Sequence, residues 1–308
     1  MMPVELVKEK YSNSINSLEI GKGPNAVKVG GESTLPFLFD EGAMPHAPVV
    51  AMEVLDCEPA DWSEDVRRSL GTIVSDPASW AKAAVTEFGA KAICFRLASA
   101  HPDYGKRPHD KIVATVKAVS QAVDVPLIVT GCGDDDIDNE LMPKVSQVLK
   151  GQNALIGIAT QNNYKTLAAT ALADGHSVIA ESPIDINIAK QVNILISDMG
   201  LDSKRIVMHP TTTSLGYGME YVYSIMERGR LAAFIGDKML SMPFILFVGQ
   251  EVWKTKEAKE SGARGVNWEI ATAVSMLQAG ADILVMRHPD SVKTITKYIG
   301  NMMSGGNK

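Results

Sequence analysis

The side chains able to do chemistry fall at the ends of short apolar runs. Glu53 and Asp56 lie in VVAMEVLD (49–56), Arg96 in AICFRLA (92–98) and Thr130 in PLIVTGC (126–132). Thr160, Gln161 and Asn162 sit at the end of ALIGIAT (154–160), with Glu181 in SVIAESP (177–183) and Asp185 just after it. His209 and Thr211 to Thr213 end RIVMHPT (205–211), Gln250 and Glu251 end FILFVGQ (244–250), and Arg287 and His288 end DILVMRH (282–288). Several chemistries can be set aside at once. None of the runs contains a lysine whose burial could free an amine for Schiff-base formation. Only His209 and His288 stand at run ends, with no HxH pair of the kind a metallohydrolase barrel needs. VGQEVW and MRHPDS are not glycine-rich phosphate loops.

The elements that position these residues are legible from periodicity. The eight runs are near-continuously apolar, as strands buried on both faces of a parallel sheet should be. Amphipathic stretches such as PASWAKAAVTEFG (77–89), HDKIVATVKAVSQAV (109–123) and INIAKQVNILISDMG (186–200) alternate with them. Eight strand–helix units in order predict a closed (β/α)8 TIM barrel, and no GxGxxG follows any run to support an open dinucleotide-binding sheet. LEIGKGPNAVKV (18–29) reads as a β-hairpin around a Gly-Pro-Asn turn. The expected organisation is a hairpin and lead-in over 1–48, one barrel over 49–303, and a flexible tail over 304–308. At about 150 residues per domain, a 308-residue chain would otherwise suggest two.

Composition excludes whole classes. With 45% hydrophobic and 21% charged residues the chain is globular, and a net charge of -6 offers no basic field for nucleic acid. Cys57, Cys94 and Cys132 are three, scattered, and form no CxxC, so they cannot hold an iron–sulfur cluster or a disulfide framework. No signal-peptide core or membrane-length apolar run is visible, so a reducing cytoplasm and no membrane partner are expected.

Three features have a plain reading beside a functional one. GCGDDDIDNE (131–140) reads better as acidic capping of a helix N-terminus than as a cation site. Glu53 is either a general base or a buried partner of Arg96. HPTTTSLGYGMEY (209–221) is either a long loop capped by Ser214 or a docking surface. Its hydroxyls and amides, with the ring of Tyr217, suit holding a polar ligand edge better than breaking bonds.

GGESTLPFLFDEG (30–42), VVAMEVLD, SPID (182–185) and above all HPTTTSLGYGMEY closely resemble the small subunit of the corrinoid iron–sulfur protein of the acetyl-CoA (Wood–Ljungdahl) carbon-fixation pathway of anaerobes. They equally resemble the related delta subunit of archaeal acetyl-CoA decarbonylase/synthase, and the likeness runs over essentially the full chain. The resemblance implies a non-catalytic barrel, paired as a heterodimer with a larger subunit that carries a [4Fe-4S] cluster and a corrinoid-binding domain. It implies that cobalt of the cobalamin-type cofactor takes a methyl group from methyltetrahydrofolate at a separate methyltransferase and passes it to acetyl-CoA synthase/CO dehydrogenase. The barrel mouth would then cover part of the corrinoid. The nearest approach to the corrinoid signature DxHxxG, DGHSVI (174–179), has Ile179 in place of glycine, so Asp174 and His176 are expected to form only a turn.

From their run-end positions, Gln161, Asn162, Asp185, Thr211, Thr212, Thr213, Ser214, Gly216 and Tyr217 are the candidate corrinoid contacts, with no catalytic or metal-ligating residue. Valines at Thr211 to Thr213 are expected to loosen that interface without unfolding the barrel. The alternatives are a stand-alone pterin-dependent methyltransferase barrel using Asp56, Asn162 and Asp185, and an oligomeric scaffold that would leave 209–221 without a purpose.

Overall fold

The apolar runs form one parallel eight-stranded sheet in the computed structural model, which describes residues 7–38 and 41–305. A short antiparallel hairpin comes first, β1 (Leu18–Ile20) with β2 (Val27–Val29), joined through a single 3-10 turn over Gly23–Asn25. The barrel strands are β3 (Val49–Leu55), β4 (Ala92–Arg96), β5 (Leu127–Thr130), β6 (Leu155–Ala159), β7 (Ser177–Glu181), β8 (Ile206–His209), β9 (Ile245–Leu246) and β10 (Ile283–Met286). Around them run α1 (Glu64–Leu70), α2 (Pro77–Thr86), α3 (His109–Ala122), α4 (Asp135–Val148), α5 (Tyr164–Asp174), α6 (Ile186–Asp198), α7 (Met219–Phe234), α8 (Val248–Val252), α9 (Lys256–Glu260), α10 (Gly262–Gln278) and α11 (Pro289–Gly305). The ladder order is β8-β7-β6-β5-β4-β3-β10-β9. A bridge between Met208 and Phe244, with Met208 N–H donating to Pro243 O at 2.8 Å, brings its two ends together.

The last element extends past the expected tail boundary at 303: α11 continues through Gly305, because Met303 packs against the core and keeps that turn in place, and residues 306–308 lie outside the described chain. The seventh barrel strand is also shorter than the run 244–250 predicts. The Thr212 hydroxyl takes the Phe247 N–H at 2.8 Å, and the chain winds into α8 from Val248.

Alternation along the strands divides the core in two. Ala51, Cys94, Ile128, Leu155, Ile179, Val207, Ile245 and Val285 point inward and pack together, while their neighbours face the helices. Leu18, Ile20 and Val29 belong to the inner cluster, so the hairpin plugs the N-terminal end of the barrel. Each such side chain contributes roughly 1.5–3 kcal/mol by burial.

The lead-in is tied to the same end by charge. Arg230 of α7 is fully buried and pairs with both Glu32, at 2.9 Å, and Asp282. Its guanidinium also donates to Met242 O at 3.1 Å and lies 4.6 Å from the centroid of Phe244. Burial, and then the neighbouring Asp282, push the Glu32 carboxyl up from 4.5 to about 7 against the pull of Arg230. The folded chain therefore holds a proton on Glu32 between pH 4.5 and 7 that the unfolded chain has released, and this group's contribution to stability falls as pH rises through that window. Glu32→Gln mimics the protonated form. The wild-type minus variant difference in Tm is expected to decline from pH 4.5 to 7 and level off above; a difference that rises with pH would contradict this assignment.

Candidate functional site

Alternation that fills the barrel with apolar side chains lower down brings polar ones to its C-terminal end. Glu53, Arg96, Thr130, Glu181, His209 and Arg287 continue the inward positions of their strands. Glu53, fully buried, does not pair with Arg96 of β4. It accepts from Gln250 Nε2 at 2.7 Å and from Arg287 Nε, because β10 flanks β3 on the other side with Met286 beside Met52. The Arg287 guanidinium stacks on Trp62, 4.3 Å from the ring centroid.

Glu269 of α10 is equally buried. It accepts from Arg287 N–H at 2.7 Å and Trp253 Nε1 at 3.0 Å, a structural role no motif in the sequence announces. Burial raises its carboxyl above the ordinary range. Trp253 stacks on His288 with centroids 5.7 Å apart, and burial lowers the His288 imidazole.

Across the mouth, His209 lies with Nδ1 3.2 Å from Glu181 Oε1 and Nε2 3.1 Å from Thr212 Oγ1. Since Thr212 already accepts from Phe247 N–H, its own proton is available to Nε2, while buried Nδ1 lies near Glu181 without a hydrogen bond to it. Among the described residues no three His, Cys, Asp or Glu side chains are grouped to hold a metal ion.

The loop after β8 is rigidly held. Thr211 has φ +65°, a strained setting for a β-branched residue, and its hydroxyl donates to Ser182 O at 2.8 Å. Leu215 N–H donates to Thr272 Oγ1 at 3.2 Å, and Leu215 O accepts from Trp268 Nε1 at 2.9 Å. The Tyr217 phenol donates to Glu257 Oε2 at 3.0 Å and accepts from Lys256 N–H at 3.1 Å, while its ring stays exposed. Gly216, at φ +78°, borders open space.

The structure sorts the candidate contacts. Thr211 to Tyr217 form one continuous arc with the β7 loop, whereas Ser214 is buried and Thr212 is spent inside the wall. Gln161 and Asn162 are exposed on the β6 loop; Asn162 Nδ2 donates to Asp135 at 3.0 Å, and Gln161 Nε2 reaches Gln191 at 3.5 Å. Asp185 caps α6, accepting from Asn187 N–H at 2.7 Å and Ile188 N–H at 3.2 Å. Asp56 accepts from Ser99 N–H at 2.8 Å and from its hydroxyl.

The acidic run 134–138 is also structural. Asp134 caps α4, Asp135 gathers Asn162 and Asn163, and Asp138 accepts from Cys132 N–H at 2.8 Å. Asp174 and His176 stand at the α5–β7 turn, the opposite end of the barrel from the mouth. Buried His176 accepts from Ala154 N–H through Nδ1 at 3.2 Å, so Nε2–H donates to Ser146 O.

Three mouth hydroxyls, Thr130 Oγ1, Ser182 Oγ and Thr213 Oγ1, are buried and have no hydrogen-bond partner, and the same holds for His209 Nδ1. Such orphans are uncommon and costly in a finished site. Thr213 is half-buried and borders a small cleft with Tyr217 and Lys254.

Residues 17–298 match the family profile described as CO dehydrogenase/acetyl-CoA synthase delta subunit. The chain belongs to that family. Among curated members, acetyl-CoA decarbonylase/synthase complex subunit delta of Methanopyrus kandleri is 32% identical over 293 residues, covering 92% of this chain and 72% of the relative. Subunit delta 1 of Methanosarcina thermophila is 34% identical over 304 residues, covering 94% and 69%. The barrel of this delta-family chain is shared more widely. Dihydropteroate synthase of Xanthomonas albilineans with 4-aminobenzoic acid superposes with TM-score 0.60 at 14% identity, covering 94% of this chain and 98% of that one. The Yersinia pestis enzyme gives TM-score 0.54 at 15% identity, covering 87% and 96%. At those identities the likeness is one of fold. No helix among the described residues is long and apolar enough to cross a membrane.

Proposed function

We propose that this delta-family chain is the non-catalytic barrel of a heterodimeric, cytoplasmic methyl carrier, whose mouth covers a corrinoid held by a larger iron–sulfur subunit. The observation that carries this reading is the pair of orphaned hydroxyls on the loops after β7 and β8, Ser182 Oγ and Thr213 Oγ1. A corrinoid is edged with neutral amides, and neutral hydroxyls can bond them without competing as cobalt ligands. Exposed Gln161 adds an amide on the adjoining loop, where the Asn162 amide is engaged by Asp135. When bound, the corrinoid supplies the cobalt that carries a methyl group between methyltetrahydrofolate:corrinoid methyltransferase and acetyl-CoA synthase/CO dehydrogenase. This chain's part is to hold the edge and exclude water.

Exposed Ile184, Tyr217 and Tyr221 follow β7 and β8 on the same arc, which suits a protein interface. The stand-alone pterin reading draws less support, because Asp56, Asn162 and Asp185 already have partners within the fold.

The test combines this chain with a corrinoid/iron–sulfur large subunit and follows the visible spectrum and co-elution. A stoichiometric complex is expected, with Thr213→Val weakening it about tenfold, as for the loss of one hydrogen bond worth about 1.4 kcal/mol. Thr212→Val is the contrast: it orphans buried Phe247 N–H and is expected to cost about 1–3 kcal/mol of stability. That separation replaces the expectation that all three threonines can become valine with the fold intact. Failure to associate, or saturable binding of methyltetrahydrofolate by the chain alone, would sink the carrier reading.

A further inference from the structure

Away from the β6–β8 arc, the other side of the mouth holds a second cleft. It has a volume of about 200 Å³ and is bordered by Trp62, Arg96, Tyr104, Trp253, Lys254 and Arg287, with exposed Asp61 at its rim. Three sets of donors there lack acceptors. Half-buried Arg96 makes no side-chain hydrogen bond or ion pair among the described residues, although both its neighbouring strands supply polar groups. Arg287 gives Nε to Glu53 and stacks on Trp62, while its terminal nitrogens have no acceptor among those residues. Trp62 is nine-tenths buried or more, and its Nε1–H is buried without a partner.

A guanidinium is always charged, offers five donors and accepts nothing, so one left without an acceptor in an enclosed cleft is an unfinished contact. The acidic groups nearby are already engaged: Asp61 takes the Tyr104 phenol, Glu53 holds Arg287 and Gln250, and Glu251 pairs with Lys254 at 2.7 Å. What would complete the cleft is a planar or tetrahedral oxyanion.

We propose that the Arg96–Arg287 cleft binds an oxyanion-bearing ligand, a phosphoryl or carboxylate group held by the two guanidinium forks between Trp62 and Trp253. Side chains rather than a glycine-rich loop do the holding, so the site escapes any search for phosphate-loop motifs. Apart from Lys254, which borders both clefts, it stands on different residues from the corrinoid reading and does not depend on it.

The full chain is titrated by calorimetry and tryptophan fluorescence with inorganic phosphate and, separately, acetate at constant ionic strength. Saturable binding of phosphate alone assigns a phosphoryl ligand, of acetate alone a carboxylate, and of both the shared chemistry. Arg96→Gln is expected to weaken binding about ten- to a hundredfold, and Arg96→Lys less, since it keeps the charge and loses the fork. No saturable binding of either ion up to about 50 mM, an affinity weaker than any functional subsite requires, overturns the proposal. So does an Arg96→Gln chain that binds as the wild type does. Should both Arg96 variants misfold, Lys254→Gln serves, because that side chain is 67% exposed. A several-fold loss is expected there, and unchanged affinity counts against the site.

Discussion

Replacing Arg230 with methionine is expected to cost about 3–5 kcal/mol at neutral pH, because it strands two buried carboxylates without a counter-charge. Glu32 and Asp282 are each under a tenth exposed, and both lean on the same guanidinium. The loss also reaches Met242 O and Gly280 O, which that guanidinium satisfies, and the aromatic face of Phe244. Methionine fills similar space and supplies none of this. The corresponding drop in Tm is of the order of 10 °C. The variant should recover stability as pH falls and its carboxyls take up protons, the direction in which burial already pushes Glu32 and Asp282. Thermal denaturation at pH 5 and pH 7.5 measures both effects, and a variant with wild-type Tm at pH 7.5 would show that the triad is not what secures the lead-in.

The second large effect is expected from Glu53→Ala at the other end of the barrel. Glu53 is completely buried, and its carboxylate oxygens answer Gln250 and Arg287. Alanine leaves Arg287, itself about one-twentieth exposed, as a charge without its carboxylate, with an expected cost of about 3 kcal/mol. Glu53→Gln, which keeps the shape and one acceptor, should lose less. Urea unfolding of the two variants provides the comparison, and equal losses would mean that packing, not the ion pair, sets the role of Glu53.

Much of this arrangement is legible in the amino-acid sequence. The eight apolar runs became β3 to β10 in order, and the Gly-Pro-Asn turn became the hairpin connection. Capping by Asp134 follows from an acidic residue at the start of a helix, a local effect that needs no tertiary information. The partner of Glu53 was not legible in this way. In a barrel β3 has two neighbours, β4 and β10, and the register decides between their arginines: Arg96 is level with Leu55, whereas Arg287 follows Met286, which is level with Met52, and so stands beside Glu53. Sequence proximity favoured Arg96, whereas the pairing formed with Arg287, 234 positions away. Thr212 shows the same limit: a hydroxyl at a strand end looks like a ligand contact until the fold sets Phe247 N–H beside it.

Glu32 and Glu269 were missed altogether. Nothing in GGES says that its glutamate will meet Arg230, and nothing in α10 says that its glutamate will collect donors from the residues just after β10 and α8. Short-range periodicity by itself determined the fold class, the hairpin and which end of each strand would be polar, because hydrophobic alternation and helix capping act over a few residues. Tertiary structure alone decided which polar groups are satisfied and which remain open. Partners of buried charges come from strands and helices tens to hundreds of residues apart, brought together only when the barrel closes. The three scattered cysteines illustrate both halves: their spacing sets the expectation that a cluster lies outside this chain, and closure put Cys94 in the barrel interior and Cys132 beside the α4 N-terminus.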